Sequence, residues 1–162
     1  MNRLFCLLLF CGFTLSAFSQ AGNCEELKKE NEYLKNVLKI NTPVMKGASE
    51  NIEFSITRIE GNKTEQVVTI TVLLNNTAPN RAFQWNGTGM KAIDLEGNVY
   101  KLNTSFTRET LYTDVPLKCE VKIQKILPKI EFVKLLSLSF YPEKSGGKSP
   151  VLEFRDLPIE WK

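Results

Sequence analysis

The 162-residue chain contains no histidine. Ser-His-Asp and Cys-His nucleophile systems, imidazole general bases and histidine metal ligands are therefore unavailable to it. Cysteine is scarce as well, with four residues, two of them (Cys6 and Cys11) within the first nineteen positions. The remaining pair, Cys24 and Cys119, makes neither a disulfide scaffold nor, by itself, a zinc site. No glycine-rich phosphate loop occurs, since Gly87-Thr88-Gly89 is only G-x-G with no helix expected after it. Asp94 and Glu96 stand two apart beside Gly97, where acidic residues serve turns and solubility rather than the paired-carboxylate chemistry of glycoside hydrolysis. The same turn clusters too few carboxylates for calcium. The expectation is a non-enzyme without cofactor or metal.

The opening stretch MNRLFCLLLFCGFTLSAFS has the layout of a secretory signal. Arg3 supplies the positive end, Leu4 to Leu15 the apolar stretch, and Ala17 and Ser19 the small residues before a cut at Gln20. The stretch is shorter than the ~20 apolar residues of a spanning helix. Export to the periplasm, the cell surface or the extracellular space is thus expected. Loss of Arg3 from 21 basic residues leaves 20 against 18 acidic ones, net +2. Such a near-neutral chain, with no block of like charge, does not imply nucleic acid as a partner.

Residues 20–49 are expected to hold one short helix and a linker. In CEELKKENEYLKNVLKI, Asn23 suits an N-cap and Glu26 the matching position of a capping box, while Pro43 after Thr42 stops the helix near Ile40 or Asn41. About 17 residues give a rod of about 25 Å. Three roles stand for it. Cys24, Asn31 and Leu38 at heptad position a, with Leu27 and Leu34 at d, match a short parallel dimer whose register the asparagine sets. Alternatively, Leu27, Leu34, Val37 and Leu38 form one apolar stripe docked on the following domain. Finally, lipid attachment at Cys24 would bring the chain to a membrane, although Asn23 and Ala21 break the pattern that lipidation favours. The self-pairing helix leads. Cys119 alternates with Leu117, Val121 and Ile123 and reads as a buried thiol, with a bridge to Cys24 as the rival.

From Glu50 the apolar period changes from helical to two. NIEFSITRIE, EQVVTITVLLNN, PLKCEVKIQKI and EFVKLLSLSFY read as strands, NKTE as a hairpin loop, and MKAIDLEGNVYKL as two short strands around Gly97-Asn98. PEKSGGKSP is a loop, and PVLEFRDLPIEW closes the chain, with Pro158 indicating an edge position. Seven to eight strands without intervening helices predict an all-β, immunoglobulin-like antiparallel β-sandwich over residues 50–162, preceded by one short α-helix.

Three segments carry a resemblance: LLNNTAPNRAFQW, AIDLEGNVYKL and the terminal VLEFRDLPIEW. Asp94, Gly97 and Tyr100 fit a D-x-x-G-x-x-Y hairpin, and Phe154, Leu157, Pro158 and Ile159 fit the ending. Residues 50–162 resemble a bacterial secreted immunoglobulin-like domain family of unknown function, which implies the fold and no activity.

Trp85, in FQWNGTG, reads as a loop residue and is the candidate ligand-contacting aromatic, for a glycan in particular. The leading expectation is a binding or assembly module acting through a protein partner or its own helix. A small carbohydrate-binding module is the alternative, and an inhibitor of an envelope enzyme is a third.

Overall fold

The computed structural model describes residues 25–34, 43–143 and 147–162. The chain divides into two compact units, Met1–Asn41 and Thr42–Lys162. In the first, residues 25–34 form a helix, α1. The second is all β.

Eleven strands build this unit: β1 (Met45–Ser49), β2 (Ile52–Asn62), β3 (Val67–Asn76), β4 (Arg81–Gln84), β5 (Lys91–Asp94), β6 (Val99–Thr104), β7 (Arg108–Leu111), β8 (Leu117–Gln124), β9 (Phe132–Ser139), β10 (Val151–Pro158) and β11 (Glu160–Trp161). Hydrogen-bonded neighbours run β1-β2-β3-β8-β6-β5-β9-β10, with β11 parallel to β2 and a separate β4-β7 ribbon. The path β2-β3-β8-β6 followed by β5-β9-β10 reproduces the A-B-E-D and C-F-G layers of a constant-type immunoglobulin sandwich. β6 pairs with β8 on one side and β5 on the other, so it joins the layers by hydrogen bonds. At the opposite side β1 meets β10 by packing: a methyl group on Gly47 would press on Leu152 and Phe154.

The alternating stretches fold as strands because each has one apolar face to bury. Ile52, Phe54 and Ile56 of β2, Val68, Ile70, Val72 and Leu74 of β3, and Cys119, Val121 and Ile123 of β8 are all fully buried. A bulge between Ile56 and Arg58 shifts the phase of β2, so that Ile59 also turns inward. From the other layer come Ala92, Val133, Leu136, Leu138, Leu152, Phe154 and Leu157.

Three expectations change. The sandwich begins at β1, within the segment expected to be linker, so its boundary lies at Met45 rather than Glu50. MKGAS shows no apolar alternation because β1 is an edge strand with half-exposed side chains. Its hairpin to β2 turns on Glu50 (φ 49°) and Asn51 (φ 61°), a left-handed pair that sequence reading expects from Asn-Gly. Second, β1, β11 and the β4-β7 ribbon are added to the seven strands of the two layers, and each strand of the ribbon is too short for periodicity to register. Third, the turn in FQWNGTG begins only after Trp85; Phe83 and Trp85 are core residues.

The C-terminal strand depends on a close approach. Trp161 lies opposite Gly61, its indole N–H donates to the Ile130 carbonyl (2.7 Å), and a Cβ at position 61 would overlap the ring. Gly61→Ala should therefore lower the unfolding free energy by about 1–3 kcal/mol in urea titration. Because both changes act on one contact, the double variant with Trp161→Ala should lose less than the two single losses added.

Candidate functional site

Trp85 follows β4, and its backbone N–H donates to the Thr107 carbonyl (3.0 Å). The side chain is 3% exposed. Its ring lies 4.8 Å from Phe83, nearly edge-on at 88°, and 6.2 Å from Phe54 and 6.4 Å from Phe106. The expected ligand-contacting platform is thus a wall of the core. Such edge-to-face packing adds about 0.5–1.5 kcal/mol per pair beyond the burial itself. Its buried indole N–H makes no strict hydrogen bond and has the Cys119 sulfur as a weak acceptor.

Cys119 is a free, fully buried thiol, and Cys24, the partner of the rival bridge, lies outside the described residues. The Ser105 hydroxyl donates to its sulfur (3.7 Å) and accepts from the Glu120 N–H (3.0 Å). Burial pushes the thiol pKa up, and the Ser105 hydroxyl opposes this only in part. A thiolate nucleophile is disfavoured there.

The D-x-x-G-x-x-Y motif acquires a physical account. Asp94 is 2% exposed at the end of β5. Its Oδ1 accepts the backbone N–H groups of Glu96 and Asn98 (both 2.9 Å), and its Oδ2 accepts the Asn98 amide (2.9 Å) and the Tyr100 hydroxyl (2.8 Å). Gly97 supplies the left-handed step at φ 85°. Burial alone would raise the Asp94 pKa, but these hydrogen bonds outweigh it and hold the carboxyl below its usual range. The Tyr100 hydroxyl is pushed up to about 12, by burial first and then by the Asp94 carboxylate. Both groups are committed to the turn, so the motif is a lock on the β5–β6 hairpin. The terminal motif is likewise structural, with Phe154, Leu157 and Ile159 in the core.

A cluster absent from the sequence-based expectations surrounds Arg81, whose side chain is 3% exposed. One guanidinium nitrogen donates to the Glu50 carbonyl (2.9 Å) and lies 3.5 Å from the Glu143 carboxylate; the other bonds the Glu50 carboxylate at 3.3 Å. Arg81 thereby ties the β1–β2 turn to β4 and to the connection after β9. These groups border a cavity of about 260 Å³ with Pro142, Gly147 and Lys148. Nothing in NNTAPNRAF distinguishes this arginine from a surface one, since its partner Glu50 is 31 positions away.

Of the proposed helix seam, Leu27, Asn31 and Leu34 lie on α1 and are exposed, whereas Cys24 and Leu38 fall outside the described residues. The expected signal also lies outside them. Among the described residues no helix is long and apolar enough to cross a membrane.

No family model and no curated protein matches the chain. Among solved structures it is similar to the ASH / PapD-like domain of human CEP192 (PapD-like domain 7), at 15% identity and a TM-score of 0.42, over 75% of this chain and 92% of that one.

Three outcomes follow from the buried groups. Tyr100→Phe should cost about 1.5–3 kcal/mol at neutral pH, the range for a hydrogen bond to a charged group. Asp94→Asn should remove stability above the normal carboxylate range and little in strong acid, because a depressed pKa stabilises the fold at higher pH and that stability is lost as pH falls through the folded value. For Tyr100 the sign reverses: its contribution is complete below pH 10.0 and lost as pH rises towards about 12. Denaturant midpoints across pH for the wild type and both variants check this. In the Cys24→Ser chain, Cys119 should react with a soluble thiol reagent only upon unfolding.

Proposed function

We propose that the chain is a non-catalytic exported module that acts through protein–protein contacts, with its N-terminal helix pairing two copies of the chain. The observation that carries the reading is the surface of α1. All ten described residues of the helix are exposed, including Leu27 (53%) and Leu34 (48%). These leucines stand one heptad apart with Asn31 between them, the spacing of a d-a-d seam in a parallel pair. A lone helix of this length is marginal in water, and a partner helix would remove its leucines from solvent. Export rests on the signal-like N-terminus, and the absence of histidine supports the non-catalytic half.

The test is the solution mass of residues 20–162, with and without reductant, for the wild type, Cys24→Ser and Leu27→Ala/Leu34→Ala. The expected result is a dimer that is covalent only when Cys24 is present and that survives reduction. The leucine double variant should raise the dimer Kd at least about 30-fold, as for the loss of a buried leucine contact. A monomer under every condition overturns the reading.

A further inference from the structure

The outer face of the β6-β5-β9 layer is unusually apolar at one end. Ile93 of β5 pairs directly with Val99 of β6 on one side and with Leu135 of β9 on the other. Val99 is 66% exposed, and Ile93 and Leu135 are half-buried. One residue beyond the Asp94–Val133 pair lie Leu95, 57% exposed, and Phe132, 37% exposed. The upper part of the same face is covered, since the 3-10 turn Gly87–Gly89 lies over Ser137 and Ser139 and keeps both buried. Among the described residues, the lower part has no such cover.

The next row runs Lys101, Lys91, Ser137 and Glu153 and sets two cations side by side. Lys91 and Lys101 are direct cross-strand partners, both exposed. Like charges placed opposite one another destabilise a sheet. Among the described residues neither lysine has a carboxylate within salt-bridge distance, whereas the carboxylates bordering the face are already engaged: Glu96 with Lys129 (2.6 Å), Glu153 with Arg155 (2.8 Å) and Asp156 with Lys134 (2.5 Å). The face therefore combines an apolar row with two unneutralised cations whose mutual repulsion an anion would relieve.

We propose that this face docks an acidic protein segment that lays apolar side chains on Val99, Ile93 and Leu135 and carboxylates on Lys91 and Lys101. Contiguous exposed apolar surface bordered by charge marks interaction sites, and opposite charge across the contact selects the partner. An anionic membrane surface is the rival; it selects clusters of four or more basic residues, whereas this row offers the Lys91–Lys101 pair. The inference goes beyond the pairing of helices and does not rest on it.

The probe is a short peptide alternating leucine and glutamate, titrated into isotopically labelled chain, with the lysine-for-glutamate peptide and phosphatidylglycerol vesicles as comparisons. Amide shifts centred on Ile93, Val99 and Lys101 are expected with the acidic peptide and not with the basic one. Lys101→Glu is the informative variant. It should weaken peptide binding about tenfold or more, while turning a repulsive cross-strand pair into an attractive one and raising Tm by about 2 °C. Gain of stability with loss of binding is a signature that a folding role for the lysine would not produce. Absence of binding, binding unchanged in Lys101→Glu, or co-sedimentation with the vesicles in place of peptide binding would overturn the proposal. A monomeric result from the helix experiment leaves this test intact, and failure here leaves the helix reading intact.

Discussion

The second unit is organised by one contact between its layers. Phe54, central on β2, meets Phe140, just past β9, at a ring distance of 5.5 Å, and Phe83 of the ribbon lies 5.4 Å from Phe140 on another side. Trp85 closes the group against Phe83 and Phe54. A β-sandwich is stable only when side chains from two sheets fill the ~10 Å between them. Here one aromatic cluster does so while also anchoring the ribbon, which would otherwise be a two-stranded excursion with no stability of its own. The described thiol, Cys119, is free, so no disulfide shares this task among the described residues.

Much of this architecture was legible. Strands β2, β3, β8 and β9 have one buried face, and a period of two records that directly. The Gly97-Asn98 turn announced itself through a glycine that the backbone requires at φ 85°. The misreadings share a cause: the decisive partner is remote in sequence. MKGAS is a strand because Gly47 fits against Leu152 and Phe154, more than a hundred positions on. Trp85 is flanked by polar and glycine residues that look like loop, yet its neighbours in space come from β2, the ribbon and the Phe106 segment. The Arg81 cluster and the apolar row on β6-β5-β9 exist only through register, which no local window contains. The helix that carries Leu27, Asn31 and Leu34 was legible because its capping and period are local patterns.

The two candidate contact surfaces differ in kind. The helix offers a narrow line of leucines spaced for a copy of itself, where an asparagine trades stability for register. The sheet face offers an apolar row beside a pair of like-charged lysines, a pattern poorly suited to meeting its own image. One surface would set how many copies stand together and the other what they hold, and neither needs a cavity or a titrating catalyst. Asp94 and Tyr100, hydrogen-bonded to each other at 2.8 Å, lie beside the second surface and keep the strand that carries Val99 in place.

The double pairing of β6 has a mechanical consequence. One flank of the sandwich is a hydrogen-bonded spine running from β8 through β6 to β5, while the opposite flank, where β1 meets β10, is closed by side chains alone. The two layers are thus bound like the covers of a book. A fluctuation that parts them along the fore-edge breaks side-chain contacts and leaves the hydrogen bonds of the spine intact, so the Gly47–Leu152 contact opens before the β8-β6-β5 pairing does.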